Sequence, residues 1–150
     1  MRRDRFYIDA SVVGGCLDQE FAEKSLALID MAREGKVAFV VSDLLINELL
    51  DAPPDVRAIL ASVPDESIER VPMTAETGRL RDAYLAAKVV GRSSSNDAHH
   101  VALATVARAQ MVVSWNFTHL VHYDKIRGFN AVNLRLGYPL IEIHSPLEVV

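Results

Sequence analysis

An alternation constrains this chain more than any single motif. Three apolar runs of strand length, RFYID (5–9), VAFVVS (37–42) and MVVSW (111–115), are separated by stretches with helical spacing of apolar residues. An unbroken run such as VAFVVS leaves no polar face for water, so it suits a strand covered on both sides in a parallel sheet. Parallel neighbours need a crossover, and the intervening helices provide it. QEFAEKSLALIDMAREG (19–35) places Phe21, Leu28, Ile29 and Met31 at helical spacing, with Gly35 as a C-terminal cap. Ser42 or Asp43 caps the helix DLLINELLDA, which Pro53 and Pro54 end. Residues 53–63 read as another short helix, IERVP (68–72) as a short strand, and 74–90 as a helix that tolerates Gly78. After the loop GRSSSN, DAHHVALATVARA (97–109) is a helix with Ala98, Val101, Ala102 and Val106 on one face. Beyond MVVSW the sequence predicts a short helix mixed with turns. The whole predicts an α/β fold: a three-layer sandwich with a central, mainly parallel sheet flanked by helices.

The 150 residues show no internal repeat, linker or low-complexity segment and fit one domain over 1–150. A content of 50% hydrophobic and 24% charged residues excludes disorder or a coiled-coil array as the account of the chain. Cys16 stands alone, so no internal disulfide forms, which points to a reducing cytoplasm. No apolar run approaches the roughly 18 residues of a membrane span, and the start MRRDRFYID lacks the apolar core of a signal peptide. The net charge of −4 does not by itself exclude a nucleic-acid partner, because acids that grip a divalent cation count as negative only while the ion is ignored. Twelve of the sixteen basic residues are arginine, the better fork for phosphate, while the RRDR start (2–5) reads as a solvated patch.

In an open α/β sheet, ligands collect outside the carboxyl ends of the strands. That rule selects Asp9, which ends the first strand; Asn116, just past the MVVS run; and Asp97, which opens the helix leading into that strand. Glu48 sits among Leu45, Ile46, Leu49 and Leu50 at the boundary of a strongly apolar helix. Each has a plain alternative: Asp97 as a helix cap, Glu48 as a surface residue, Asn116 as the cap of a turn over Phe117 to Leu120. Asp9 has no obvious packing value. Three carboxylates brought to one edge repel one another unless a cation joins them, and hard oxygen donors suit Mg²⁺ or Mn²⁺.

YIDASVV around Asp9, SDLLINELL around Glu48, NDAHHVALATVARA from Asp97 and VVSWNFTHL around Asn116 resemble, in order and spacing, the four motifs of PIN domains, and most of all the VapC-type toxins of bacterial toxin–antitoxin pairs. The resemblance spans nearly the whole chain. It implies a PIN-like three-layer fold and a Mg²⁺- or Mn²⁺-dependent endoribonuclease that hydrolyses RNA phosphodiester bonds, with Asp9, Glu48 and Asp97 as catalytic metal-binding acids. Asn116 takes the fourth catalytic and metal-binding place, where the family pattern has an aspartate. An amide offers a carbonyl oxygen but no charge and cannot act as a base, which leaves open one metal or two. Asp124 is an alternative source of the missing charge. By the same resemblance, hydrolysis leaves a 5′-phosphate and a 3′-hydroxyl, an antitoxin covers the acidic pocket with an arginine, and the chain forms a homodimer, with the helices at 43–63 as candidate surfaces. The alternative is a PIN fold weakened at Asn116 that binds RNA or a protein partner without cleaving.

Arg92, Lys88 and His119 are the candidate substrate contacts, with Arg79 and Arg81 beside them on the same helix as Lys88. His99, His100, His119 and His122 lack the spacing of a zinc site and read as partly exposed histidines. Trp115 and Phe117 read as packing residues, and Cys16 as a small buried hydrophobe. A dinucleotide-binding domain is excluded because DASVVGG lacks GxGxxG, and a receiver-type domain because Asp9 is followed by Ala10 and Ser11 rather than a second acid.

Overall fold

The strands run where the apolar sequence cannot meet water. The computed structural model describes residues 3–150; Arg2, part of the basic start, lies outside the described residues. In chain order the elements are β1 (Asp4–Ile8), α1 (Ala10–Gly15), α2 (Ala22–Arg33), β2 (Val37–Ser42), α3 (Asp43–Leu50), α4 (Pro54–Ala61), β3 (Ile68–Val71), α5 (Ala75–Ala86), α6 (Ser95–Val106), β4 (Met111–Val113), α7 (Tyr123–Arg135), β5 (Glu142–His144) and α8 (Pro146–Val149). The strands form one sheet in the order β3-β2-β1-β4-β5, and every pairing is parallel.

All six residues of β2 are buried, as expected of a strand covered on both faces. Alternation divides them. Phe39 and Val41 join Phe6, Ile8, Leu28, Ile29 and Leu45 in the core on one side of the sheet, while Val40 and Tyr7 join Leu80, Tyr84, Leu103 and Phe129 on the other. The sheet is thus the middle of three layers, with α5, α6 and α7 contributing to the second core.

Several boundaries differ from the sequence expectation, each for a local reason. The helix expected from residue 19 begins at Ala22, because Asp18 Oδ1 accepts from Glu20 N at 2.8 Å and holds the chain in a turn. Gly35 does end α2, at φ +76°, where a side chain would be strained. The segment past residue 115 holds more than a short helix and turns. α7 runs for 13 residues with Phe129, Val132 and Asn133 buried at helical spacing, and β5 adds an edge strand whose one buried side chain is Ile143. A three-residue strand with a single core residue carries no periodicity to read.

The segment after β4 is anchored by α1 and α2. Trp115 stacks on Phe21 at 4.3 Å between ring centroids and donates its indole N–H to Ser25 Oγ at 2.7 Å. Gly15 makes room for this pair: a Cβ there would lie 2.6 Å from Ser25 Oγ and 2.9 Å from Trp115 Nε1, whereas at Gly14 it would meet nothing within 4 Å. Gly15→Ala should therefore lower unfolding stability by about 1–3 kcal/mol through overpacking. Gly14→Ala should be neutral or slightly stabilising because alanine is the better helix former. Equal effects of the two in chemical denaturation would contradict this packing.

Candidate functional site

Parallel strands end on one edge, and the chain leaves that edge through short helices. Asp9 follows β1 directly and is buried. It stands at the N-cap position of α1 without capping it; instead its carboxylate accepts from Ser11 Oγ on one oxygen and from Ser114 Oγ on the other, both at 2.6 Å. The pairing of Ile8 with Val113 brings residues 9 and 114 to the same level of adjacent strands. Desolvating an unpaired carboxylate costs several kcal/mol, and hydrogen bonds to a charged group return about 1.5–3 kcal/mol each, so the two hydroxyls make this burial tolerable. The same serines hold the loop: Ser11 Oγ accepts from Trp115 N and Ser114 Oγ from Asn116 N, each at 2.9 Å. Sequence reading missed both.

Glu48 projects from α3, the helix that starts where β2 ends. Ser42 is its N-cap, with Oγ accepting from Leu45 N at 3.1 Å. The side chain of Glu48 is 29% exposed, and its Oε1 lies 2.7 Å from Nε2 of His100, which is buried. His100 Nδ1 in turn lies 2.6 Å from the Tyr7 hydroxyl, itself 2.7 Å from Ser42 Oγ. Burial raises the Tyr7 phenol well above its ordinary value, opposed by Ser42 and reinforced by the charges of Asp9 and Glu48.

Asp97 lies in the first turn of α6, where the helix dipole favours an acid. The capping alternative finds no support, since Ser94 holds the N-cap position and the Asp97 side chain makes no hydrogen bond with any described residue. Its carboxyl is held above the usual carboxylate range, first by burial; His119 and His100 oppose this, and the negative charges of Asp9 and Glu48 add to it. The three acids therefore share an electrostatic neighbourhood. They do not close further: among the described residues no group of three or more His, Cys, Asp or Glu side chains is drawn close enough to hold a metal ion between them. Electrostatic influence reaches farther than ligation: Asp97 feels the charges of Asp9 and Glu48, while no ligand cluster forms among the described residues.

Asn116 follows β4, and its side-chain oxygen accepts from His119 N at 2.9 Å, so it caps the turn at 117–120. That oxygen is the atom expected at a metal. The turn sets His119 where Asp97 feels it, and His119 Nδ1 is buried without a hydrogen-bond partner among the described residues. Lys88 and Arg92 are exposed on the turn between α5 and α6, Lys88 with a left-handed φ of 59°. Neither hydrogen-bonds to an acid of the edge among the described residues. Asp124 is exposed in the first turn of α7 and is not among the groups that Asp97 feels.

Two expectations about histidine are corrected. His99 and His100 are buried, not partly exposed, because α6 packs between the sheet and α5. His99 Nε2 lies 3.1 Å from Thr77 Oγ1, and burial lowers its pKa, aided by Arg81 and His100. Trp115 packs as expected, while Phe117 is exposed. Cys16 is buried, its thiol pushed up to about 11 by desolvation, as befits an inert hydrophobe.

No protein-family model matches this chain, and no curated protein sequence does either. Solved structures do. VapC20 of Mycobacterium tuberculosis, a sarcin-ricin-loop-cleaving toxin, matches 75% of this chain and 91% of its own with a TM-score of 0.57 at 14% identity. A chain of VapBC2 from Rickettsia felis, in its complex with a promoter DNA fragment, matches 94% of this chain and 98% of its own, with a TM-score of 0.56 at 10% identity. The PIN-domain endonuclease Utp24 matches 94% of this chain and 84% of its own, with a TM-score of 0.50 at 20% identity. The fold is that of a PIN domain. At these identities the likeness is one of architecture alone.

A partly buried carboxylate with no donor opposes folding. Because the Asp97 pKa is raised in the folded state, the protein loses stability as the pH rises from the unfolded value near 3.8 through the raised one. Asp97→Asn should therefore raise the melting temperature of metal-free protein at pH 7. The gain should fade as the pH drops through that range, and a variant less stable than the parent at pH 7 would contradict it.

Proposed function

We propose that this chain, acting as one domain over residues 1–150, is a divalent-metal-dependent endoribonuclease and the toxin of a type II toxin–antitoxin pair. The observation that carries the reading is Asp97, a half-buried carboxylate without a hydrogen-bond donor on an edge it shares with Asp9 and Glu48. Such a group is costly as a structural element and useful as a ligand. The donor set fits: Asp9, Glu48 and Asp97 offer only hard oxygens, which suit Mg²⁺ or Mn²⁺. A divalent ion held there supplies positive charge that makes water a better nucleophile and stabilises charge developing on a phosphodiester.

The chain's own residues do the positioning. Ser11 and Ser114 fix the Asp9 carboxylate in the floor of the edge, and His100 fixes one oxygen of Glu48. Asn116, engaged with the turn, serves by placing His119, whose charge Asp97 feels and which would meet a phosphate. Arg92 and Lys88, exposed after α5, extend a cationic track for the RNA backbone beyond the acids. With hydrolysis by water the ribose 2′-hydroxyl is not the nucleophile, so preference for RNA comes from contacts outside the reacting phosphate.

A second reading has its own observation. The acids do not close among the described residues, and the Asn116 oxygen is already engaged, as in a PIN fold that binds RNA or a protein without cutting it. Purified protein incubated with RNA separates the two. Cleavage with Mg²⁺ or Mn²⁺, lost in EDTA and in Asp97→Ala, is the expected result; cleavage that survives both overturns the site, and none with either metal favours the binding module.

The partners in this proposal are an antitoxin, whose arginine would neutralise the acidic edge, and a second copy of the chain on the α3–α4 face, where Leu50 is exposed. No described helix is long and apolar enough to cross a membrane, consistent with action in the cytoplasm. Expressed alone in bacteria the chain should slow growth, less so as Asp9→Ala, and in sedimentation it should run at twice its 16.6 kDa mass. Equal slowing by the variant removes the toxin reading, and a monomer mass removes the homodimer.

A further inference from the structure

Behind the acidic edge runs a buried chain of hydrogen bonds that the cleavage chemistry does not require. It begins at the Leu45 backbone N–H, 3.1 Å from Ser42 Oγ, and passes through the Tyr7 hydroxyl at 2.7 Å and His100 Nδ1 at 2.6 Å. It ends where His100 Nε2 meets Glu48 Oε1 at 2.7 Å. Ser42, Tyr7 and His100 are all buried, and the far end alone, Glu48, reaches solvent.

The donors and acceptors allow one consistent direction. Ser42 Oγ accepts from Leu45 N–H and has one proton to give, which the Tyr7 oxygen accepts. Tyr7 then donates its single proton to His100 Nδ1. With Nδ1 an acceptor, the ring proton is on Nε2 and is donated to Glu48. Every buried polar atom in the chain is satisfied in this order, and the reverse order leaves the Ser42 hydroxyl proton without an acceptor.

The placement of its members relates the chain to the acids. Tyr7 lies in β1 two residues before Asp9, His100 is one helical turn after Asp97 on α6, and Ser42 caps the helix that carries Glu48. Four separate elements are thereby locked in register around the edge. The donation from His100 engages Oε1 and leaves Oε2 without a partner among the described residues. A core that needed only filling would be served as well by apolar side chains, since buried polar networks seldom add net stability.

We propose that His100, held by Tyr7 and Ser42, is a positioning residue that fixes the Glu48 carboxylate for a divalent cation. This rests on the metal-dependent reading above and deepens it. The carboxylate is presented with one oxygen restrained and the other free, so the entropy of ordering it is spent in folding and not at binding.

The test is titration of metal-free protein with Mn²⁺, followed by the paramagnetic resonance of the free ion, with melting temperature measured in parallel. His100→Asn retains a polar group near Nδ1 for Tyr7 but withdraws the donor from Glu48; His100→Gln places its amide near Nε2 and retains that donor. His100→Asn should weaken Mn²⁺ binding about tenfold or more, and His100→Gln should lie closer to the parent. Tyr7→Phe, which keeps the ring and its volume, should weaken binding in the same direction and carries the test if His100→Asn does not fold. Asp97→Asn is the reference. If Asp97→Asn loses Mn²⁺ while His100→Asn and Tyr7→Phe bind as the parent does, the positioning role is overturned and the metal site stands. If Asp97→Asn also binds as the parent does, the metal-dependent reading falls, and the positioning role falls with it.

Discussion

The burial of carboxylates at one end of the sheet is the constraint on which the candidate site depends. An all-parallel sheet brings the carboxyl ends of its strands to one edge, so the segments that follow β1, β2 and β4 leave from the same end of the sheet. Three of the elements leaving that edge carry or support an acid. Burial raises the pKa of Asp97, and the negative charges of Asp9 and Glu48 add to it, so its ionised form opposes folding. A fold that keeps such a group bears a cost in its free state.

The structure meets that cost differently at each acid. Asp9, the most buried, has two hydroxyl donors; Glu48, at the rim, has one imidazole; Asp97 has none. The opposite edge shows what purely structural use of charge looks like here. Arg5 donates to the carbonyls of Ala107 and Arg108 at 2.9 and 3.0 Å and pairs with Glu69, tying the end of α6 to β1. The contrast between the two ends of α6, one tied down by arginine and the other presenting an unpartnered aspartate, is what separates scaffold from candidate site.

Much of this was legible in the sequence where the physics is local or periodic. β1, β2 and β4 were readable because strands covered on both faces carry apolar runs, Asp9 because it follows such a strand, and Asp97 because it opens the helix that leads into another. Gly35 and the Ser42 cap follow from backbone geometry alone. α7 and β5 were not readable: α7 exposes Tyr123 and Leu134 and buries only a narrow stripe, and β5 is three residues long. The supports of the acids were also hidden. Ser11, Ser114, Tyr7 and His100 acquire their roles through partners 35 to 105 residues away, except for the short reach of Ser11 to Asp9. A histidine three places after a first-turn aspartate looks the same in sequence whether it faces water or the sheet. Ser11 and Ser114 did carry a faint signal, since each lies at the strand edge beside an expected ligand.

The central claim is that Asp9, Glu48 and Asp97 form one cation-binding place, and a crystal structure grown with Mn²⁺ and measured for anomalous scattering tests it most directly. The account predicts a peak bounded by these three carboxylates, with the Asp97 side chain moved inward to join it. A peak bound elsewhere, or none at a Mn²⁺ concentration that supports cleavage, would contradict it.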